Sequence, residues 1–390
     1  MNSNNKGVII LGGFIQGLAL ARSFSELGVP VYVADDKQCL AGFSRCCDKF
    51  IECPKTESSD FVPFLIEFAQ KKELNDWLLV PTDDHQVDAI SRNSTALGVY
   101  YRFLVPSQDT LELIINKKKL LEIAERSGTC FPKTCSSNDI DIAKEYRYPL
   151  LIKGTYGATF FRIMHKKGFV VDSYNELRSV FQDLSKTIAP EDIMIQELIP
   201  SRQIDHVVSF TCFSINGEIK TFWMGEKLRE RPIDHGTATF AQSILNANIL
   251  EQAKPLIQSL NYTGVCEIEF MYDYRDDCWC LIEINPRTWK WVGLAKECGI
   301  DFAKIMYRHV HDIPQDFPRC YDTNVKWVDM LTDIFSAFAM IRRRKLSFTK
   351  YLKSYRGKLV NAIWSWKDPA PALYFPIYAL YRKASRLWKI

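Results

Sequence analysis

At 390 residues, 47% hydrophobic and 25% charged, the chain has the make-up of an ordinary folded protein of two or three domains, which excludes a low-complexity or disordered chain. The formal charge of +4 hides an asymmetry: residues 341–390 carry 13 Lys or Arg against one acid, Asp368, so the first 340 residues hold 37 bases and 45 acids, a balance of -8. No run reaches the roughly 18 uninterrupted apolar residues of a membrane-spanning helix.

In chain order, residues 1–6 are polar and resemble no signal peptide. Residues 7–11 read as an apolar strand, Gly12-Gly13-Phe14-Ile15-Gln16-Gly17 as a turn, 18–27 as a helix, and 29–34 as a second strand ending at Asp35 and Asp36. This is a Rossmann-like opening, whose helix N-terminus could receive an anion; the glycines equally serve strand-to-helix packing. Residues 77–80 predict another parallel strand, running into Pro81-Thr82-Asp83-Asp84-His85 at the end where open α/β sheets bind ligands, so these are candidate substrate contacts.

A new unit begins near Ser107. Asn116-Lys117-Lys118-Lys119 opens a helix that Gly128 stops. Residues 148–154 read as a buried strand closing on Lys153, 155–159 as a small-residue turn between strands, 173–184 as a helix, and 193–198 and 207–215 as strands. A lysine closing an apolar strand is costly unless its ammonium meets an anion or a carbonyl. Lys153 therefore calls for a nucleotide phosphate or for solvent. Residues 225–232 crowd Lys227, Arg229 and Arg231 before Gly236-Thr237-Ala238; a solvated charged loop would look the same residue by residue.

Residues 265–271 and 278–284 predict two strands of a hairpin, joined by the polar turn 273–277. Pairing would bring Glu269, Glu283 and Asn285 together, the last two on one face because they lie two apart. Two carboxylates and an amide oxygen are the hard donors that suit Mg2+ bridging substrate phosphates. Arg287 adds a planar fork for phosphate or acyl-phosphate oxygens. A surface hairpin with merely solvated acids is the plain alternative, weakened by the apolar residues between them.

The ordered set Lys117 or Lys118, Lys153, Gln196-Glu197-Leu198-Ile199, Glu269, Glu283 and Asn285 resembles the ATP-grasp superfamily over roughly residues 111–305. The resemblance implies an α/β chain with a Rossmann-like preATP-grasp domain at 1–106 and a two-lobed α+β ATP-grasp fold at 107–315, and composition adds a basic, aromatic helical C-terminal extension at 316–390. It implies ATP and Mg2+, with Mn2+ as an alternative ion. One lysine of the triple and Lys153 would meet the nucleotide phosphates or adenine, Gln196, Glu197, Leu198 and Ile199 would form the adenine hinge, and Gln203 and Asp205 compete for the ribose. Glu269, Glu283 and Asn285 would hold the metal. The pattern at Lys227, Arg229, Arg231-Pro232 and Gly236-Thr237-Ala238 resembles the branch similar to D-aspartate ligase and carbamoyl phosphate synthetase, which implies that Lys227 and Arg229 neutralise the γ-phosphate and the acyl phosphate. The loop 154–159 is poorer in glycine than the superfamily pattern, so its closure over ATP should differ.

The activity so implied is an ATP-dependent carboxylate-amine ligase working through an acyl phosphate on a small-molecule or lipid-linked carboxylate and an amine. A carbamoyl-phosphate or carboxylation-type enzyme and a non-catalytic ATP-binding scaffold are the alternatives. No general base is identifiable. His85, His165, His206 and His235 lack metal-ligand spacing, and so do the twelve cysteines, which read as small core residues of a reducing, cytosolic compartment. After Asp329 the chain reads as helical and aromatic. Residues 373–390 mix aromatics with Arg382, Lys383, Arg386 and Lys389, a composition suited to an anionic membrane surface at the inner face of a membrane, with Pro376 expected to interrupt the helix. A helical appendage packed on the body is the equal alternative, and nucleic acid ranks third.

Overall fold

Five short parallel strands come first: β1 (Val8–Leu11), β2 (Val31–Asp35), β3 (Lys49–Glu52), β4 (Trp77–Val80) and β5 (Tyr101–Arg102), in the order β3-β2-β1-β4-β5. The computed structural model describes residues 6–200, 207–233 and 236–387. β1 and β4 are buried along their whole length, as unbroken apolar strands of a doubly covered sheet must be. Gly12 has φ +84°, and a Cβ on Gly17 would lie 2.2 Å from the Gly12 carbonyl oxygen, so the turn and the helix Ile15–Ser25 approach as only glycines permit. One acceptor for the N–H groups of this turn comes from the chain itself. Gly13 N–H donates to Asp35 Oδ2 at 2.9 Å, and burial raises the Asp35 pKa.

The second sheet is antiparallel: β6 (Thr134–Ser136), β7 (Leu150–Gly154), β8 (Phe169–Val171) and β9 (Ile193–Glu197), ordered β6-β9-β7-β8. Residues 155–159 are not a simple turn between strands. The helix Gly157–Met164 intervenes, because Phe160 is buried against Gly154 and gives the segment an apolar side to pack. Tyr156 anchors its start through hydrogen bonds to Glu112 (2.7 Å) and Asn116 (2.9 Å).

The third sheet has seven strands: β10 (Val208–Ile215), β11 (Glu218–Arg231), β12 (Thr237–Ile244), β13 (Gly264–Asp273), β14 (Cys278–Asn285), β15 (Lys326–Val328) and β16 (Leu359–Asn361), ordered β14-β13-β10-β11-β12-β15-β16. The cationic segment 225–231 is therefore strand rather than solvated loop, with register shifts between Lys227 and Glu230 that re-aim its side chains. The stretch 316–390 is more than a helical extension. β15 and β16 complete the sheet, the helix Met330–Arg342 packs on β11 and β12, the short helix Phe348–Ser354 follows it, and the helix Ala370–Leu387 lies against the first domain, where Phe375 and Tyr374 meet Phe14 and Phe43. The last helix continues through Pro376, against the expected break.

One core joins the first and third sheets. Leu18, Phe24 and Val33 share it with Phe213, Trp223, Trp289, Trp291 and Trp327. Trp223 stacks on Trp289 at 5.9 Å and meets Trp291 edge-on at 5.2 Å. Such rings bury large apolar area and hold one relative orientation, so the strand ends carrying the polar set below are rigidly placed.

Candidate functional site

Side chains alternate along β13, so Cys266, Ile268 and Phe270 fill the core while Glu267 and Glu269 leave the opposite face. Across the ladder Glu267 pairs with Asn285 and Glu269 with Glu283, which places four polar residues in a two-by-two array. Asn285 Nδ2 donates to Glu267 Oε2 at 3.1 Å, and Ser209 Oγ of β10 donates to Glu267 Oε1 at 2.7 Å. Burial first, and the Glu269 charge second, push the Glu267 carboxyl up to about 7.

Lys227, from β11, reaches across β10 to Glu269 Oε1 at 2.5 Å, with both side chains nearly buried. Burial opposes its charge, but Glu269 and Glu267 outweigh burial, so Lys227 holds its proton above the usual lysine range. Glu283 behaves in the opposite sense. Burial alone would raise its pKa, yet Lys117, Lys227, Lys167 and Arg287 together bring it below the ordinary glutamate value.

Lys153 faces this array from the small sheet. Its Nζ donates to Gln196 Oε1 at 2.6 Å, and Gln196 Nε2 donates in turn to Thr134 Oγ1 at 2.7 Å. Enclosure by protein and then the neighbouring Lys117 lower the Lys153 pKa to about 7, against a smaller opposing pull from Glu283. Of the lysine triple, Lys118 Nζ bonds the Glu191 carbonyl at 2.5 Å and Lys119 pairs with Glu112 at 3.0 Å. Lys117 is the one whose charge acts on both Lys153 and Glu283, and a Cβ on Gly157 would lie 3.9 Å from its Nζ.

Other expected residues have different surroundings. The Glu197 carboxylate clamps Arg147 through its backbone N–H (3.0 Å) and Nε (2.8 Å), and Leu198 N–H donates to the Pro149 carbonyl at 3.1 Å. Ile199 is buried. Arg287 pairs with Asp84 of the first domain (2.8 and 3.3 Å) and donates to Asn285 Oδ1 at 3.3 Å, tying the expected substrate loop to the metal-type array. Arg229 is turned away from the set. Its guanidinium is buried in a two-pronged pair with Asp333 (2.7 and 2.8 Å) and stacks 4.0 Å from the centre of the Phe240 ring.

A family model described as the carbamoyl-phosphate synthase L chain, ATP binding domain, matches residues 235–313, the span that holds β13, β14 and the Glu269, Glu283 and Asn285 set. A D-aspartate ligase of Enterococcus faecium is 20% identical over 315 residues, covering 76% of this chain and 75% of the relative. The N5-carboxyaminoimidazole synthetase of Staphylococcus aureus superposes with a TM-score of 0.63 at 20% identity, over 84% of this chain and 83% of that one. The chain has the ATP-grasp fold. The L-amino acid ligase of Bacillus licheniformis shares this ATP-grasp fold with a TM-score of 0.60 at 15% identity, over 80% of this chain and 75% of that one.

The two ribose candidates, Gln203 and Asp205, lie outside the described residues, as do His206 and His235. Among the described residues no three His, Cys, Asp or Glu side chains converge as a preformed metal cage. Glu269, Glu283 and Asn285 nonetheless fit a hard divalent ion that takes its remaining ligands from water and phosphate, and the lowered pKa keeps Glu283 ionised as a ligand must be. Sequence reasoning missed Glu267, Ser209 and Lys167. Glu267 carried a signal, since it stands two residues before Glu269 and so shares its face. Lys167 lies beyond the short helix that replaced the expected turn, and Ser209 is fixed only by strand pairing.

Proposed function

We propose that the protein is an ATP-dependent carboxylate-amine ligase. The observation that carries this reading is the two-by-two array of β13 and β14, with Lys117 and Lys153 near enough to Glu283 for their charges to act on one another. A substrate carboxylate oxygen attacks the γ-phosphorus and ADP leaves with the bridging oxygen. An amine then attacks the acyl carbon, phosphate departs, and the amine gives up a proton to solvent. Both steps move negative charge among phosphate oxygens, so positioned cations matter more than a general base.

Lys117 and Lys153 would take the nucleotide phosphates, and hinge residues 196–199 would line the base. Lys227 would exchange its Glu269 partner for the γ-phosphate. Glu269, Glu283 and Asn285 would hold Mg2+, whose contribution when bound is neutralisation of phosphate charge. Arg287 would orient the acyl-phosphate oxygens beside Asp84. Arg229 would act from behind as a strut for the irregular part of β11, keeping Lys227 aimed at the array. The names of the D-aspartate ligase and the L-amino acid ligase support the reaction class.

The test is phosphate release from ATP and Mg2+ across a panel of amino acids, other small carboxylates and amines. A productive pair should release phosphate in step with amide formation, and Glu283→Ala should abolish both. A variant that still turned over would remove the metal assignment. A carboxylation-type reading is favoured by the family model and by the synthetase likeness. It would show itself as phosphate release stimulated by bicarbonate with no added acid. ATP binding without turnover under every pairing would leave a nucleotide-binding scaffold.

A further inference from the structure

The helix Met330–Arg342 is apolar on the wrong side. Asp333, Ser336 and Ala337 face inward onto β11 and β12, while Leu331, Ile334, Phe335 and Phe338 face outward, 46, 51, 61 and 68% exposed. Their spacing of three and four residues makes a continuous outer stripe. A soluble surface helix shows the reverse pattern, and large exposed apolar stripes mark an interaction face. Next to it the helix Phe348–Ser354 exposes Phe348 (62%) and Leu352 (55%). Tyr355 joins the two helices by bonding Asp333 at 2.6 Å and touching Met330 Sδ at 3.9 Å.

Charge selects the occupant. Residues 341–358 contain eight Lys or Arg and no acid, and Arg342, Arg344, Lys350 and Lys353 are exposed. A second copy docking through the same face would set these cations against their own images across a twofold axis, which costs energy. An anionic bilayer satisfies both features at once: acyl chains take the Leu, Ile and Phe side chains and headgroups take the cations. The 13-residue helix is too short to span, and no helix among the described residues is long and apolar enough to cross a membrane. We propose that the outer faces of Met330–Arg342 and Phe348–Ser354 dock the protein, lying flat, on an anionic lipid surface. The Asp333–Arg229 pair would brace this contact directly on β11.

The full chain is sedimented with vesicles of phosphatidylcholine alone and of phosphatidylcholine mixed with phosphatidylglycerol, at low and high salt. Binding to the mixed vesicles only, weakening with salt, is expected. Replacing Leu331, Ile334 and Phe338 together by Ser should cut binding at least ~10-fold, and replacing Arg342, Lys350 and Lys353 by Ser should cut it ~100-fold. Thermal melting of both variants, whose changes are all at exposed positions, should match the parent. The proposal is overturned by failure to bind the mixed vesicles, by binding that ignores the apolar substitutions, by preference for single-stranded nucleic acid over vesicles, or by a solution dimer that Phe338→Ser converts to monomer.

Discussion

Asp333→Ala should be the most damaging single change outside the array. Asp333 is fully buried and accepts four hydrogen bonds: Arg229 Nε (2.7 Å), Arg229 Nη2 (2.8 Å), Thr239 Oγ1 (3.0 Å) and Tyr355 Oη (2.6 Å). Removing it strands a guanidinium that is itself only 5% exposed. Breaking one side of a buried pair costs about 3–5 kcal/mol, because the surviving charge has no solvent to fall back on. Arg229 retains Ser354 Oγ at 3.0 Å and the Phe240 ring, and a desolvated cation-π contact is worth up to ~2 kcal/mol, so the low end of that range is expected. Replacing both residues by Leu should recover most of the loss, since the pair as a whole is near break-even against apolar packing. Urea unfolding of the single and double variants, read as a cycle, measures this directly. A single-variant loss under ~1 kcal/mol, the size typical of exposed pairs, would show that Arg229 is not locked to Asp333. It would then be free to serve phosphate as the sequence pattern implies.

Glu269→Ala and Glu283→Ala should each weaken Mn2+ binding, read by isothermal titration with a nonhydrolysable nucleotide present, by ~10-fold or more, and Glu269→Ala should also lower the melting temperature, because it takes the direct partner from the nearly buried Lys227. Lys153, lowered to about 7 from the ordinary 10.5, makes the unfolded chain the better proton binder between those values, so folding stability attributable to it rises with pH across that window. Phosphate beside Lys153 restores the proton, so metal-free ADP should take up a proton on binding near pH 8 and bind more weakly as pH rises. Titration in two buffers of different ionisation heat checks this, and no uptake would contradict the assigned phosphate contact. Gly225→Ala would put a Cβ 2.3 Å from ring atoms of both Trp223 and Trp291, and should cost about 2 kcal/mol in urea unfolding through overpacking.

The reason some of this was readable from sequence and some was not lies in the range of the interactions. Glu269, Glu283 and Asn285 come from one hairpin, so a period-two pattern and a short turn were enough to pair them, and the register Glu269 to Glu283 follows. The Rossmann-like opening was equally local, from Gly12 through Asp35. What defeated sequence reasoning was every residue whose partner lies far along the chain. Asp35 reads only as the end of a strand until its hydrogen bond from the Gly13 N–H is seen, and residues 326–328 and 359–361 read as tail until their pairing places them in the sheet. Arg229 shows why the difference matters for function. Within β11 it stands two residues from Lys227 and reads as its equivalent, but the register shifts between them turn the two side chains to opposite ends of the problem: one to Glu269 in the array, the other to a carboxylate 104 residues downstream. A charge pattern in a strand names its phosphate contacts only when the strand is regular, because a bulge reverses which face each cation serves.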